Sequence, residues 1–173
     1  MAKIEKLVPK ILKCEGGSVN HPNDKGGATN KGVTIGTYTF YRKFKGLPAP
    51  TVEDLNNITS DEWMDILKTL YWNKWRADEI RNQSIANLLV DWYWGSGVYG
   101  IKYPQRVLGV TADGIVGVKT LAAINDYPDQ EELFQKLWDR RKKHFEDIVK
   151  RDPSQKVFLN GWMNRLNDYK FEE

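Results

Sequence analysis

Ile4, Leu7, Val8, Ile11 and Leu12 recur at spacings of three and four along the first segment, with Lys3, Lys6, Lys10 and Lys13 between them. This periodicity predicts an amphipathic helix. Pro9 counts against an unbroken one, because an interior proline removes a backbone hydrogen bond and kinks the helix or delays its start. The expected end is Gly16-Gly17, glycine being favoured just beyond a helix terminus. The stretch that follows, SVNHPNDKGGATNKG, is rich in Asn, Asp, Gly and Pro and predicts an ordered loop or a short, irregular hairpin. Residues 34–44 read as a second helix, and GLPAP breaks the chain before two short helical stretches. Thr51 and Thr59 are candidate N-caps for those two, the second opening TSDEW, whose acidic residues suit the first turn of a helix. Trp63, Ile66, Leu67 and Leu70 form one apolar stripe, and Ile85, Leu88, Leu89 and Trp92 form another on a helix that ends near GSG at 95–97. Beyond it, VYGIKYPQRVLG reads as a helix, VTADGIVGVKTLAAIN as a turn and a helix, 129–150 as a long amphipathic helix, and 154–169 as a last one. There is no internal repeat and no alternation long enough for a substantial sheet. The expectation is a mainly α chain in two lobes, 1–95 and 96–173, divided at the glycine cluster.

Composition narrows this picture. A chain of 173 residues suits one compact domain or two small lobes that share a core. No run reaches the roughly 18 apolar residues of a membrane-spanning helix, so a soluble protein is expected. The opening MAKIEKLVPKILKC lacks the apolar stretch and cleavage site of a secretory signal; a target outside the membrane would need another delivery route. Cys14 is the sole cysteine, and with His21 and His144 it falls short of a structural zinc set, so neither metal nor cofactor is expected. The formal charge of +3 suits an anionic polymer surface and is small for a nucleic-acid binder. Seven Trp and eight Tyr supply many flat apolar faces with a polar edge, which either fill a core or stack on sugars.

Glu15 continues the apolar stripe of helix one, four residues after Ile11 and seven after Val8. It should therefore point inward, at the negative end of a helix. Such surroundings disfavour a bare carboxylate and suit a general acid, which a poor leaving group such as a glycosidic oxygen requires. The alternative is a capping or salt-bridged glutamate. Asp24 lies nine positions on and Thr29 five beyond that, among glycines at 26, 27 and 32 that allow close backbone approach or positive φ. A second carboxylate facing the first is the glycosidase arrangement: it stabilises an oxocarbenium-like transition state or activates water. Thr29 is placed to help hold that water. Asp24 reads equally as an Asx-type turn in PNDKG, and Asn20 and Asn30 read as loop braces or sugar hydrogen-bonders.

The string EGGSVNHPNDKGGATNKGVTIGTY closely resembles the signature of glycoside hydrolase family 108, the N-acetylmuramidases that include proteins labelled secretion activators. The pair Tyr71-Trp72 and the ending FLNGWMNRLND at 158–168 agree with that family, so the resemblance covers nearly the whole chain. It implies a lysozyme-like helical fold, hydrolysis of the β-1,4 bond between N-acetylmuramic acid and N-acetylglucosamine, and Glu15 as the essential acid. Phage-type lysozymes separate their Glu, Asp and Thr by eight and five residues, whereas here the gaps are eight and four. Ser18 stands where the family usually has an aromatic. Trp72, in the family-like pair, and Trp94, at the lobe boundary, are the candidate sugar contacts.

TADGIVGVKTLAAIN resembles the DGxxGxxT core of small peptidoglycan-binding modules, and the family's C-terminal half is described as a predicted peptidoglycan-binding region; this lobe is expected to lengthen the glycan cleft. Without the resemblance, Asp113-Gly114 is a common turn and Gly117 to Thr120 a helix start. The run Arg140 to Lys143 reads as a solvated face. Two rival readings are a cysteine hydrolase, with Cys14 as nucleophile and His21 or His144 as base, and a non-catalytic wall-binding or secretion-regulating protein that keeps the fold. The sequence reading is thus a monomeric peptidoglycan hydrolase without membrane insertion. It would be made in the cytoplasm and reach the wall through a holin-like pore, lysis or dedicated export, as a phage or prophage endolysin does.

Overall fold

The computed structural model describes residues 1–16 and 27–173, and these form a mainly helical, lysozyme-like fold with one small two-stranded sheet. The chain divides into two compact units, one of Leu7–Tyr71 and one of Met1–Lys6 with Trp72–Glu173.

In the first unit, Pro9 sits in the opening turn of α1 (Val8–Cys14), where its missing N–H costs nothing. Ile4–Lys6, which belongs to the second unit, forms a separate 3-10 turn. Leu7 and Ile11 are fully buried, but Leu12 is exposed. Strands β1 (Thr29–Asn30) and β2 (Val33–Thr34) pair antiparallel, Thr29 opposite Thr34 and Asn30 opposite Val33. Lys31 and Gly32 between them have φ of 50° and 82°, the positive values that a two-residue type I′ turn requires. Thr34 then caps α2 (Ile35–Phe44) by accepting from the Thr37 N–H. Thr51 forms a full capping box on α3 (Val52–Asn56), and Thr59 accepts from the Glu62 N–H at the start of α4 (Ser60–Ile66). The last turn of α4 runs into a π-helical segment, Leu67–Trp72. Helices α2 and α4 are tied by polar contacts: Tyr38 Oη and Arg42 Nε donate to Glu62 at 2.9 and 2.6 Å, and Tyr41 Oη donates to Asp65 at 2.5 Å.

The second unit is built around α5 (Gln83–Ser96), in which every residue from Ser84 to Trp92 is buried. A helix buried on all sides needs neighbours all round, and α5 packs against α6 (Tyr99–Leu108) and α8 (Gln130–Arg151). Packing thus groups α5 with the C-terminal helices. Gly100 permits the closest approach, since a Cβ there would lie 2.5 Å from the Tyr93 backbone. Helix α7 (Val118–Asn125) and α9 (Lys156–Asn167) complete the unit.

The basic run on α8 is not a uniformly solvated face. Arg141 is 1% exposed, and its Nη1 lies 2.8 Å from a carboxylate oxygen of the fully buried Asp91. Arg165 of α9 reaches the same carboxylate at 2.7 Å. Arg140 stacks over the Tyr103 ring at 3.9 Å, leaving Lys142 and Lys143 exposed. Burial alone would raise the Asp91 carboxyl, but the two guanidinium groups outweigh it and hold it below its usual range.

Candidate active site

Helix α1 ends at Cys14, so Glu15 is the residue just past it, with extended backbone (φ −89°, ψ 129°) and its N–H donating to the Ile11 carbonyl. It is half-buried. Its carboxyl group lies against the turn of the β1–β2 hairpin: a Cβ on Gly32 would stand 2.6 Å from Glu15 Cδ and 2.8 Å from Oε2. Gly32 is therefore required twice, by its left-handed backbone and by the carboxyl packed on its bare Cα.

The hairpin that meets Glu15 is held from both sides. Trp63 of α4, 2% exposed, donates its Nε1–H to the Lys31 carbonyl at 2.9 Å. Asn30, 5% exposed, donates from Nδ2 to the carbonyls of Leu55 and Asn56 at 2.9 and 3.3 Å. Asn30 is thus a brace that fixes the turn, and its amide nitrogen is committed to backbone rather than to sugar. Thr29 opens the first strand of the same hairpin and is half-buried. Asp24, Asn20 and His21 lie outside the described residues.

Trp72 is corrected as a sugar contact. It is fully buried, and its Nε1 donates to Asp78 at 2.8 Å, so the ring presents no face to a ligand. Trp94, on α5, is half-buried. His144 is also a core residue: it is 4% exposed, and its Nδ1 accepts from Trp92 Nε1 at 3.3 Å. Burial, followed by the nearby charges of Arg140, Arg141 and Arg151, pushes its pKa down to about 4. Among the rings around it is Tyr103, at 4.7 Å between centroids. This packing gives His144 a structural role and removes it as the base of the cysteine rival. Trp63 and Lys31 are the site residues that the sequence reading missed. The Asn-, Asp-, Gly- and Pro-rich composition of the stretch signalled a loop or hairpin, but nothing local signals an indole 32 positions away.

Residues 8–97 match the family described as Glycosyl hydrolase 108. The chain belongs to that family. The remainder of this family 108 hydrolase, residues 99–167, matches a Predicted Peptidoglycan domain. The chain is also similar to a solved structure titled "Structure of Brucella abortus SagA", at 30% sequence identity and a TM-score of 0.79, over 95% of this chain and 90% of that one. No curated protein matches the sequence. The family 108 hydrolase is thus a glycoside hydrolase with a peptidoglycan-related role. In its second half the DGxxGxxT residues are organised by Gln105, which is fully buried. Gln105 Nε2 lies within hydrogen-bonding distance of Asp113, the Ile115 carbonyl and Thr120, and Oε1 accepts from the Gly114 N–H at 2.9 Å. The motif's polar residues face an internal amide.

Proposed function

We propose that the protein is a lysozyme-type N-acetylmuramidase that cleaves the β-1,4 bond between N-acetylmuramic acid and N-acetylglucosamine, with Glu15 as general acid. The observation that carries this reading is the seating of the Glu15 carboxyl on the bare Cα of Gly32, in a hairpin turn fixed by Trp63 and Asn30. A proton donor is effective only when held within hydrogen-bond reach of the leaving oxygen, and this arrangement restricts the carboxyl on one side. Glu15 gives its proton to O4 of N-acetylglucosamine as the C1–O4 bond breaks, and water adds at C1 of N-acetylmuramic acid. Asp24 is assigned the second carboxylate, which stabilises positive charge at C1 or activates the water, and Thr29 helps to hold that water. The protein acts at the cell wall, in the manner of an endolysin.

The bond cleaved can be read from the new chain ends. Digestion of purified peptidoglycan, borohydride reduction and mass spectrometry should give muramitol-terminated fragments. Glucosaminitol ends would make the enzyme a glucosaminidase, and 1,6-anhydro ends would remove water from the mechanism.

Gly32→Ala tests the seating itself. The new methyl would displace the Glu15 carboxyl, and a misplacement of about 1 Å costs about 100-fold in rate. An L-residue at φ 82° adds roughly 1–2 kcal/mol of backbone strain. Turbidity clearance should therefore fall about 100-fold, with helical circular dichroism retained. A near-normal rate would show that the contact does not position the acid.

A further inference from the structure

A cavity of about 370 Å³ lies between the first turns of α8 and the chain after α9. Its aromatic wall comprises Phe134, Trp138 and Phe171, and its polar rim includes Glu131, Asn167 and Lys170. Trp138 is half-buried, and its Nε1 donates to the Leu166 carbonyl at 3.1 Å, so the indole is locked before any ligand arrives. Phe134 is 4% exposed and sits 5.9 Å from Phe171 at 56°, bracing that ring from beneath.

We propose that this cavity is a second, non-catalytic saccharide site that takes an N-acetylated pyranose of a glycan strand and holds the enzyme on its polymer. A volume near 370 Å³ is within the range of small-ligand sites, and the lining mixes aromatic rings with polar side chains. The C–H face of a pyranose, or an acetamido methyl, meets a fixed aromatic wall, while hydroxyls both donate and accept. The rim offers each role: Glu131 accepts, Lys170 donates, and the Asn167 amide does both. Among the described residues these three side chains hold no hydrogen-bond or ion-pair partner. Their opposite charges balance, which favours an uncharged polyol over a phosphate or an acidic peptide. Trp138 and Asn167 lie within the part that matches the peptidoglycan domain. That the sugar belongs to wall polymer rests on the function proposed above.

The test uses the full-length, 15N-labelled protein titrated with tetra-N-acetylchitotetraose. The Trp138 indole N–H signal, assigned through Trp138→Phe, should shift to saturation. An Asn167→Ala, Lys170→Ala double variant changes only exposed positions; it should bind the saccharide at least about tenfold more weakly at this signal. Its retention on insoluble peptidoglycan, measured in a Glu15→Gln background, should fall in parallel. A Trp138 signal that stays still, or a double variant that binds like its parent, would overturn the proposal. Wall that remains uncut by wild type while the Trp138 signal still shifts would count against the muramidase reading and leave this site standing.

Discussion

Glu15→Gln should lose turnover on peptidoglycan by about 100- to 10,000-fold, the contribution of a positioned general acid, while its melting temperature stays close to that of wild type. The amide has nearly the shape of the carboxyl and fits the same contact with Gly32, but it has no acidic proton for the departing O4. KM should change little, because the side chain is one contact among many along a glycan. The decisive comparison uses an activated leaving group. An aryl glycoside whose phenolate departs without protonation should be cut by Glu15→Gln at a rate much nearer to wild type. A merely structural glutamate would lower both rates together, and equal clearance of wall by the two proteins would remove Glu15 from the chemistry. Gly32→Ala provides the complementary case, since there the carboxyl is present but displaced.

The helices were legible because their signals are local. Threonines 51 and 59 cap the helices that follow them, and Gly97 ends α5, each because a helix end leaves backbone groups that its neighbours in sequence can satisfy. The delayed start of α1 is local too, since Pro9 is compatible with a first turn and not with an interior one. What the sequence conceals is the direction in which a side chain faces once partners far along the chain are in place. Trp72 stands in a family-like pair and reads as a sugar platform, yet its indole closes on Asp78 in the core. Arg141 belongs to a basic run and reads as solvated, yet its partner is Asp91, fifty residues earlier. The site shows the same division. The position of Glu15 at the end of helix one follows from local spacing, whereas the brackets that fix the hairpin against it, Trp63 and Asn30, depend on α3 and α4.

Asp91→Asn should destabilise the protein by about 3–5 kcal/mol at pH 7, the usual cost of removing one partner from a buried ion pair. For a chain of this size that corresponds to a fall of roughly 6–20 °C in melting temperature. The substitution preserves shape but leaves Arg141, whose side chain is 2% exposed, without its compensating charge. Arg165 suffers less, because 17% of its side chain reaches solvent; Arg165→Met should therefore be milder than Asp91→Asn. Acid should narrow the gap. The Asp91 carboxyl is held below its ordinary value of 3.8 in the folded protein, so its contribution is complete above that value and declines as the pH falls below it, when the unfolded chain takes up the proton first. Wild type should lose this component progressively as the pH falls below about 4, while the asparagine variant has none to lose. Thermal melts at pH 7, 5 and 3 should show the difference in stability shrinking only in the last step. A variant that melts within about 2 °C of wild type at pH 7 would mean that the two arginines find other partners or water, and that the triad orders α5, α8 and α9 without stabilising them.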